Sequence, residues 1–417
     1  MTSKTPNKHT DAPETVASMP IPTSDTLADR LPAEVLRCLD DTGQTYLDSI
    51  DRIGSVLKQM HCSRPLVVID RRAVTASNLS ATVEAALADV DCLWFDEFTP
   101  NPTSEEALRA ANAAAEHRAD SVIAIGGGTC LDVAKMAALA GSENADRQSD
   151  VCRGGSTESL SPLPLMAAPS TSGTGSEATQ FAAIYVDGRK QSISDKRMRP
   201  AVVIMDPRLH AAMPASIAAC TGMDALSQAI ESLWAVGRTE ASARYAQAGG
   251  RLIAESLVSS VCDADEGSRF KMMWGAHLAG QAINISKTTA SHALSYQLTQ
   301  RFGIAHGHAV ALTLGPLAAA NATTDATNCN DPRGAEVVCG HVQQATSVLN
   351  ATPAQMPSVM SDLLRQIGLP NSLSEAGIGE NRLAEIAASV DPVRLGNNPR
   401  RLDTAELHEL LRRAYTA

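Results

Sequence analysis

The short run Ser121-Val122-Ile123-Ala124-Ile125 leads directly into three glycines, Gly126, Gly127 and Gly128, and from Thr129 to Ala140 the pattern is helical. A buried strand, a tight turn and a helix in that order make one βα unit of a sheet covered by helices. Glycines let the backbone turn sharply and approach a ligand closely. The free N–H groups at the helix start then face an anion, with the helix dipole adding to the attraction. A pyrophosphate is the natural occupant, and a tight connection with no ligand is the other reading. The GxGxxG fingerprint is absent, so the turn alone does not imply a dinucleotide.

Further strands are expected at Pro65–Ile69, more weakly at Asp91–Phe95, and at Leu165–Ala168 and Ala201–Met205. Helical patterns lie between them at Ser77–Ala88 and at Ser104–Ala119, with Ser104 a candidate N-cap. This alternation predicts an α/β nucleotide-binding domain with a parallel, doubly wound sheet. Past Asp206-Pro207 the pattern is helical, with long segments at Glu240–Val258 and Arg269–Ile283. The expected division is residues 31–210 for the α/β domain and 211–417 for an all-α domain. Residues 1–30 are polar and rich in Thr, Ser and Pro, which predicts a disordered leader rather than a signal peptide. Nine cysteines, odd in number and without a CxxC pair, argue against a disulfide framework or a zinc knuckle. A cytoplasmic protein is expected. The net charge of −11 argues against nucleic-acid or anionic-membrane partners.

A second loop, Ala168-Pro169-Ser170-Thr171-Ser172-Gly173-Thr174-Gly175-Ser176-Glu177, also follows an apolar run. Its hydroxyls suit phosphates and a carboxamide, and two such loops after strands of one sheet favour a ligand. Ser170, Thr171, Thr174 and Ser176 are its candidate contacts, beside Gly127, Gly128 and Thr129 of the glycine turn. Asp70, at the end of the first clear strand, can bond ribose hydroxyls, which favours NAD. Arg71 and Arg72 follow at once and could meet a 2′-phosphate, so NADP stays open.

Farther along, Asp224 and Gln228 are four residues apart on one helical face. With His292 and His306 they could form a four-point site for a divalent metal, although spacing alone is weak evidence.

The run Gly126-Gly127-Gly128-Thr129-Cys130-Leu131-Asp132-Val133-Ala134-Lys135 resembles the GGGSxxDxAK signature of the iron-containing alcohol dehydrogenase family. Ser170–Glu177, Gly222-Met223-Asp224-Ala225 and His306-Gly307 follow in that family's order. The resemblance implies a nucleotide-binding α/β domain, a helical domain, and a cleft between them. It implies NAD(P)H and a divalent metal, Fe2+ favoured and Zn2+ the alternative, polarising a substrate carbonyl. It also implies a homodimer or larger assembly. Asp224, His292 and His306 match metal ligands, and Asp132 and Lys190 are assigned to the cofactor. Gln228 stands where most members have histidine, and its amide is a weaker ligand than imidazole. Three readings stand: metal held without much help from Gln228, a different metal, or no metal with His308 helping to polarise the carbonyl.

Asn284–Tyr296 and His306–Leu312 resemble the phosphonoacetaldehyde reductase branch of the family, which converts phosphonoacetaldehyde to 2-hydroxyethylphosphonate in phosphonate biosynthesis. Lys287, flanked by Ser286, Thr288 and Thr289, is then a clamp for a small anionic aldehyde. Lys190, Lys196, Arg197 and Arg199 form a second basic group. The alternatives are another short polar carbonyl substrate such as phosphonopyruvate, the architecture shared with dehydroquinate synthase, and a nucleotide-binding protein whose metal site has decayed.

Overall fold

The computed structural model describes residue 27 and residues 29–416. Most of the expected leader lies outside the described residues. A six-stranded parallel sheet holds β1 (Thr45–Leu47), β2 (Pro65–Ile69), β3 (Leu93–Phe95), β4 (Ser121–Gly126), β5 (Leu165–Pro169) and β8 (Val202–Ile204). Its order is β1-β8-β5-β4-β2-β3. β2, β4 and β5 are buried along their whole length, as both faces are covered by helices.

The chain moves outward from β2 to β3, then returns to place β4 on the other side of β2. That reversal opens a crevice at the carboxyl ends of β2 and β4, where such sheets bind ligands. Ile69 and Ile125 pair across it, so Asp70 and Gly126 emerge side by side.

The helices of this half are α1 (Ala33–Asp40), α2 (Ile53–Gln59), α3 (Arg71–Ala76), α4 (Ser80–Ala86), α5 (Ser104–His117), α6 (Gly128–Ala140) and α7 (Ala145–Cys152). The N-cap of α5 is Thr103 rather than Ser104. Its hydroxyl accepts from the Glu106 N–H while the Glu106 side chain returns to the Thr103 N–H, a reciprocal capping box. Two strands not expected, β6 (Phe181–Val186) and β7 (Arg189–Ser194), form an antiparallel ribbon beside the crevice. Asp187 and Gly188 turn it at φ 49° and 74°. An Asp-Gly pair between alternating segments is the sequence signal for such a hairpin.

From residue 215 the regular elements among the described residues are helices. They begin with α8 (Ala215–Trp234), α9 (Glu240–Cys262), α10 (Glu266–Ser286), α11 (Ala290–Phe302) and α12 (His306–Asn321). α8 is buried on nearly all sides. Asp224, Gln228 and Glu231 lie on it at i, i+4 and i+7, one polar stripe in an apolar helix. Such a stripe is costly unless each group finds a partner or a ligand. All nine cysteines are free, and no described helix is long and apolar enough to cross a membrane.

Candidate metal and cofactor cleft

A cleft of about 1070 Å³ runs from the carboxyl end of β2, past the glycine turn, to α8 and α11. At the sheet end its wall includes Asp70, Gly127, Gly128, Thr129, Thr171 and Thr174. Gly127 caps α6 with extended backbone and no side-chain bond, so the first N–H groups of the helix open toward the cleft. A methyl group on Gly128 would sit 2.7 Å from the Thr174 methyl. The two loops foreseen from sequence therefore pack against each other only because position 128 lacks a side chain.

Asp70 also caps α3, accepting from the Arg72 and Ala73 N–H groups at 3.1 and 3.2 Å. Arg71 is held by Asp96 at 2.6 Å. Arg72 lines the cleft and has no ion-pair partner among the described residues.

Asp132, Ser176 and Lys190 also line the cleft, whereas Ser170, His308, Lys196, Arg197 and Arg199 do not. Ser170 does not line the cleft; its N–H donates to the Gly126 carbonyl and extends the sheet register. Asp132 accepts from the Ser176 hydroxyl at 2.7 Å and from the Ala183 N–H at 2.9 Å. Both carboxylate oxygens thus hold protein groups, tying the second loop and the β6–β7 ribbon to α6. Asp224 of α8 and Asp132 of α6 both attract the Lys190 ammonium. That ammonium is 4.6 Å from the Tyr296 ring centre. His308 is outside the cleft wall, with Nε2 2.7 Å from the Pro370 carbonyl, so it does not reach a substrate there. Arg197 pairs with Asp195, and Arg199 bonds Gln281 and the Thr42 carbonyl in a buried network. Lys196, Arg197 and Arg199 do not line the cleft.

At the helical end Asp224, His292 and His306 bring one ligand atom each to within 4.8 Å of one another. Gly307 makes this approach feasible. A side chain there would strike the Cys220 carbonyl and the Asp224 side chain, so glycine lets α12 lie close on α8. The His306 Nδ1 lies 3.2 Å from the Ser295 hydroxyl, leaving its other nitrogen for a ligand. The His292 Nδ1 bonds Glu231, whose carboxylate also accepts from the Thr289 hydroxyl at 2.5 Å and the Ser291 N–H at 3.0 Å. A carboxylate behind a histidine fixes its tautomer and aims the remote nitrogen.

That remote Nε2 faces the Asp224 Oδ1 at 3.3 Å, without hydrogen-bond alignment. The Asp224 Oδ1, the His292 Nε2 and the Gln228 Oε1 are all buried and have no hydrogen-bond partner. The Gln228 amide nitrogen donates to the Thr174 carbonyl at 3.3 Å, and both Gln228 and Thr174 line the cleft. Several unpartnered buried acceptors in one small region fit a divalent cation, which would satisfy them together.

Charge supports this fit. Burial would raise the Asp224 carboxyl, but the facing His292 and the nearby Lys190 ammonium hold it below the usual value. Burial, with Lys190 nearby, pushes His306 down to about 3, so it is a neutral ligand. Burial also works against a charge on His292, yet Glu231 and Asp224 outweigh it and raise His292 to about 9. A cation entering the site competes with that proton.

Beside the triad the wall is basic. Lys190, Lys287 and Arg394 all line the cleft. The Arg394 guanidinium lies 4.4 Å from the Tyr296 ring centre and donates to the Lys190 carbonyl at 3.4 Å. Tyr296 in turn stacks on His306 with ring centres 5.8 Å apart. The Lys287 ammonium lies 4.2 Å from the Phe181 ring centre. Arg394 was not nominated from sequence. It lies on a four-residue helix more than 80 residues beyond the last metal candidate, with no motif around it.

Two family models match the chain. That for iron-containing alcohol dehydrogenase covers residues 46–207, and that for the C-terminal part of the Fe-containing alcohol dehydrogenase family covers 218–415. The chain is 36% identical over 323 residues to a phosphonoacetaldehyde reductase of Streptomyces viridochromogenes, covering 74% of this chain and 80% of that one. It is 26% identical over 373 residues to the NAD-dependent methanol dehydrogenase of Bacillus methanolicus, covering 88% and 96%. Among solved structures, the sulfoacetaldehyde reductase of Bifidobacterium kashiwanohense in complex with NAD+ superposes with a TM-score of 0.79 at 28% identity, covering 89% of this chain and 96% of that one. Sheet topology, glycine turn, acidic–histidine triad and matched sequence agree: the chain belongs to the iron-containing alcohol dehydrogenase family.

Proposed function

We propose that the chain is an NAD(P)H-dependent reductase of a small anionic aldehyde, with phosphonoacetaldehyde as the preferred substrate and 2-hydroxyethylphosphonate as the product. The observation that carries this is the placing of Lys190, Lys287 and Arg394 on the cleft wall that also holds Asp224, His292 and His306. Three cations beside the metal candidates, in a chain of net charge −11, suit an anionic substrate. The similarity to a phosphonoacetaldehyde reductase and to a sulfoacetaldehyde reductase supports the same substrate class.

When bound, a divalent metal at Asp224, His292 and His306 supplies a Lewis acid for the carbonyl, and a reduced nicotinamide supplies hydride. Gln228 contributes its carbonyl oxygen to the metal site, held in place by Thr174. Glu231 holds the His292 tautomer that presents Nε2. The cation cluster binds the phosphonate and thereby orients the aldehyde toward the triad. Tyr296 and Phe181 back these cations with aromatic faces, which attract a positive charge. Gly127, Gly128, Thr129, Thr171 and Thr174 hold the dinucleotide, and Asp70 its ribose. We place the enzyme in the cytoplasm, as a homodimer or larger assembly.

The test compares phosphonoacetaldehyde, sulfoacetaldehyde and acetaldehyde as substrates of wild type and Lys287→Ala. Losing one charge-assisted contact is worth about 1.5–3 kcal/mol. The ratio of kcat/KM for phosphonoacetaldehyde over acetaldehyde should fall roughly 10- to 150-fold. An unchanged ratio refutes the anion clamp.

A further inference from the structure

Lys287 is one of nine non-glycine residues with a positive φ among the described residues, at φ 63° and ψ 174°. That region is nearly confined to glycine, and a side chain there is strained. The residue ends α10, its N–H still bonded to the Ile283 carbonyl at 2.9 Å. Such a conformation persists only where its surroundings hold it.

The hold comes from Asn397. Its side-chain amide nitrogen donates to the Ser286 carbonyl at 2.8 Å and to the Thr288 carbonyl at 2.9 Å, the carbonyls of the two residues that flank Lys287. Its side-chain oxygen accepts from the Gly237 N–H at 2.9 Å, and its own carbonyl accepts from the Val236 N–H at 3.0 Å. The clamp is therefore anchored on the segment after α8, the helix that carries Asp224 and Gln228. Gly237 packs so closely that a side chain would meet the Ser286 carbonyl at 2.7 Å. The Ser286 hydroxyl adds a bond to the Lys287 carbonyl at 3.0 Å. Three residues before Asn397, Arg394 reaches Tyr296 and Lys190 in the same cleft.

We infer that Asn397 is a positioning residue for anion selectivity. It holds the strained turn that aims Lys287 across Phe181 into the cleft, while the same segment contributes Arg394 directly. This inference rests on the anionic-aldehyde reading above. Without the clamp, the turn relaxes toward ordinary backbone and the ammonium leaves the headgroup position.

The experiment measures kcat and KM for phosphonoacetaldehyde and acetaldehyde with wild type, Asn397→Ala, Asn397→Asp, Lys287→Ala and the Asn397→Ala/Lys287→Ala double variant. Binding of 2-hydroxyethylphosphonate by calorimetry is measured alongside. Asn397→Asp keeps the acceptor for Gly237 but cannot donate to the two carbonyls, and a thermal melt with kcat on acetaldehyde for each variant separates lost selectivity from lost fold. Expected are a fall of at least ten-fold in selectivity for the phosphonate in both Asn397 variants, carried by KM and by weaker product binding, and no further fall in the double variant. Equal losses on both aldehydes, or multiplied losses in the double variant, overturn the role of Asn397. If Lys287→Ala is selective and the Asn397 variants are not, only this inference fails. If Lys287→Ala is unselective, the anion reading falls with it.

Discussion

Replacing Glu231 by glutamine tests the metal site most directly, because the outcome can be worked out atom by atom. One carboxylate oxygen accepts from Thr289 and Ser291, and the other from the His292 Nδ1. A glutamine has one oxygen, and the orientation that keeps two of the three bonds turns its NH2 toward His292. Nδ1 must then accept, and the imidazole proton moves to Nε2, the atom that faces Asp224. A protonated Nε2 cannot ligate. Loss of a partner behind a metal-binding histidine typically costs 10- to 100-fold in metal affinity. That factor equals about 1.4–2.7 kcal/mol and agrees with the loss of one charge-assisted hydrogen bond. The assay is competition of the purified protein with a chromophoric chelator for Zn2+ or Fe2+, and a metal-free thermal melt controls for folding. Affinity within about two-fold of wild type, in a variant that melts normally, would refute the assignment of His292 as a ligand through Nε2.

Three further outcomes follow from the same geometry. Gln228→His exchanges a neutral amide for imidazole, so affinity for Zn2+ should rise at least about ten-fold in the same competition assay; an unchanged affinity places Gln228 outside the coordination sphere. Gly128→Ala would drive a methyl group to 2.7 Å from the Thr174 methyl, and calorimetry should show NADH binding weakened with little change in metal affinity. Buried His210, its Nδ1 3.0 Å from the Ser172 hydroxyl, is pushed down by burial to about 4. Its folded pKa lies below the unfolded value of about 6.5, so its contribution is complete above that pH and is lost as pH falls toward 4, by up to about 3 kcal/mol. Denaturant titrations from pH 7 to 4 should show a shallower acid loss in His210→Gln, and parallel curves for the two proteins would contradict this.

The parallel sheet was legible because strands buried on both faces read as continuous apolar runs, as in Pro65–Ile69 and Ser121–Ile125. Strand β1, Thr45-Tyr46-Leu47, was missed because it lacks the continuous aliphatic run that marks β2 and β4. The β6–β7 ribbon was missed although Asp187-Gly188 marks its turn. The roles of Asp132 and Ser176 also depended on folding, since each satisfies the other only when α6 meets the second loop.

By itself the sequence determined the local units. The glycine turn at Gly126–Gly128, the helical spacing of Asp224 and Gln228, and the order of the family motifs follow from backbone sterics and short-range periodicity. What those units do together was set by the packing of distant segments. That packing turned His308 to the Pro370 carbonyl, brought Lys190 under the attraction of both Asp224 and Asp132, and drew Arg394 from far along the chain into the same wall. It also set Lys287 in a positive-φ turn held by Asn397, more than a hundred residues away. Burial, charge pairing and strain depend on which distant segments meet, and no local pattern in the chain encodes that meeting.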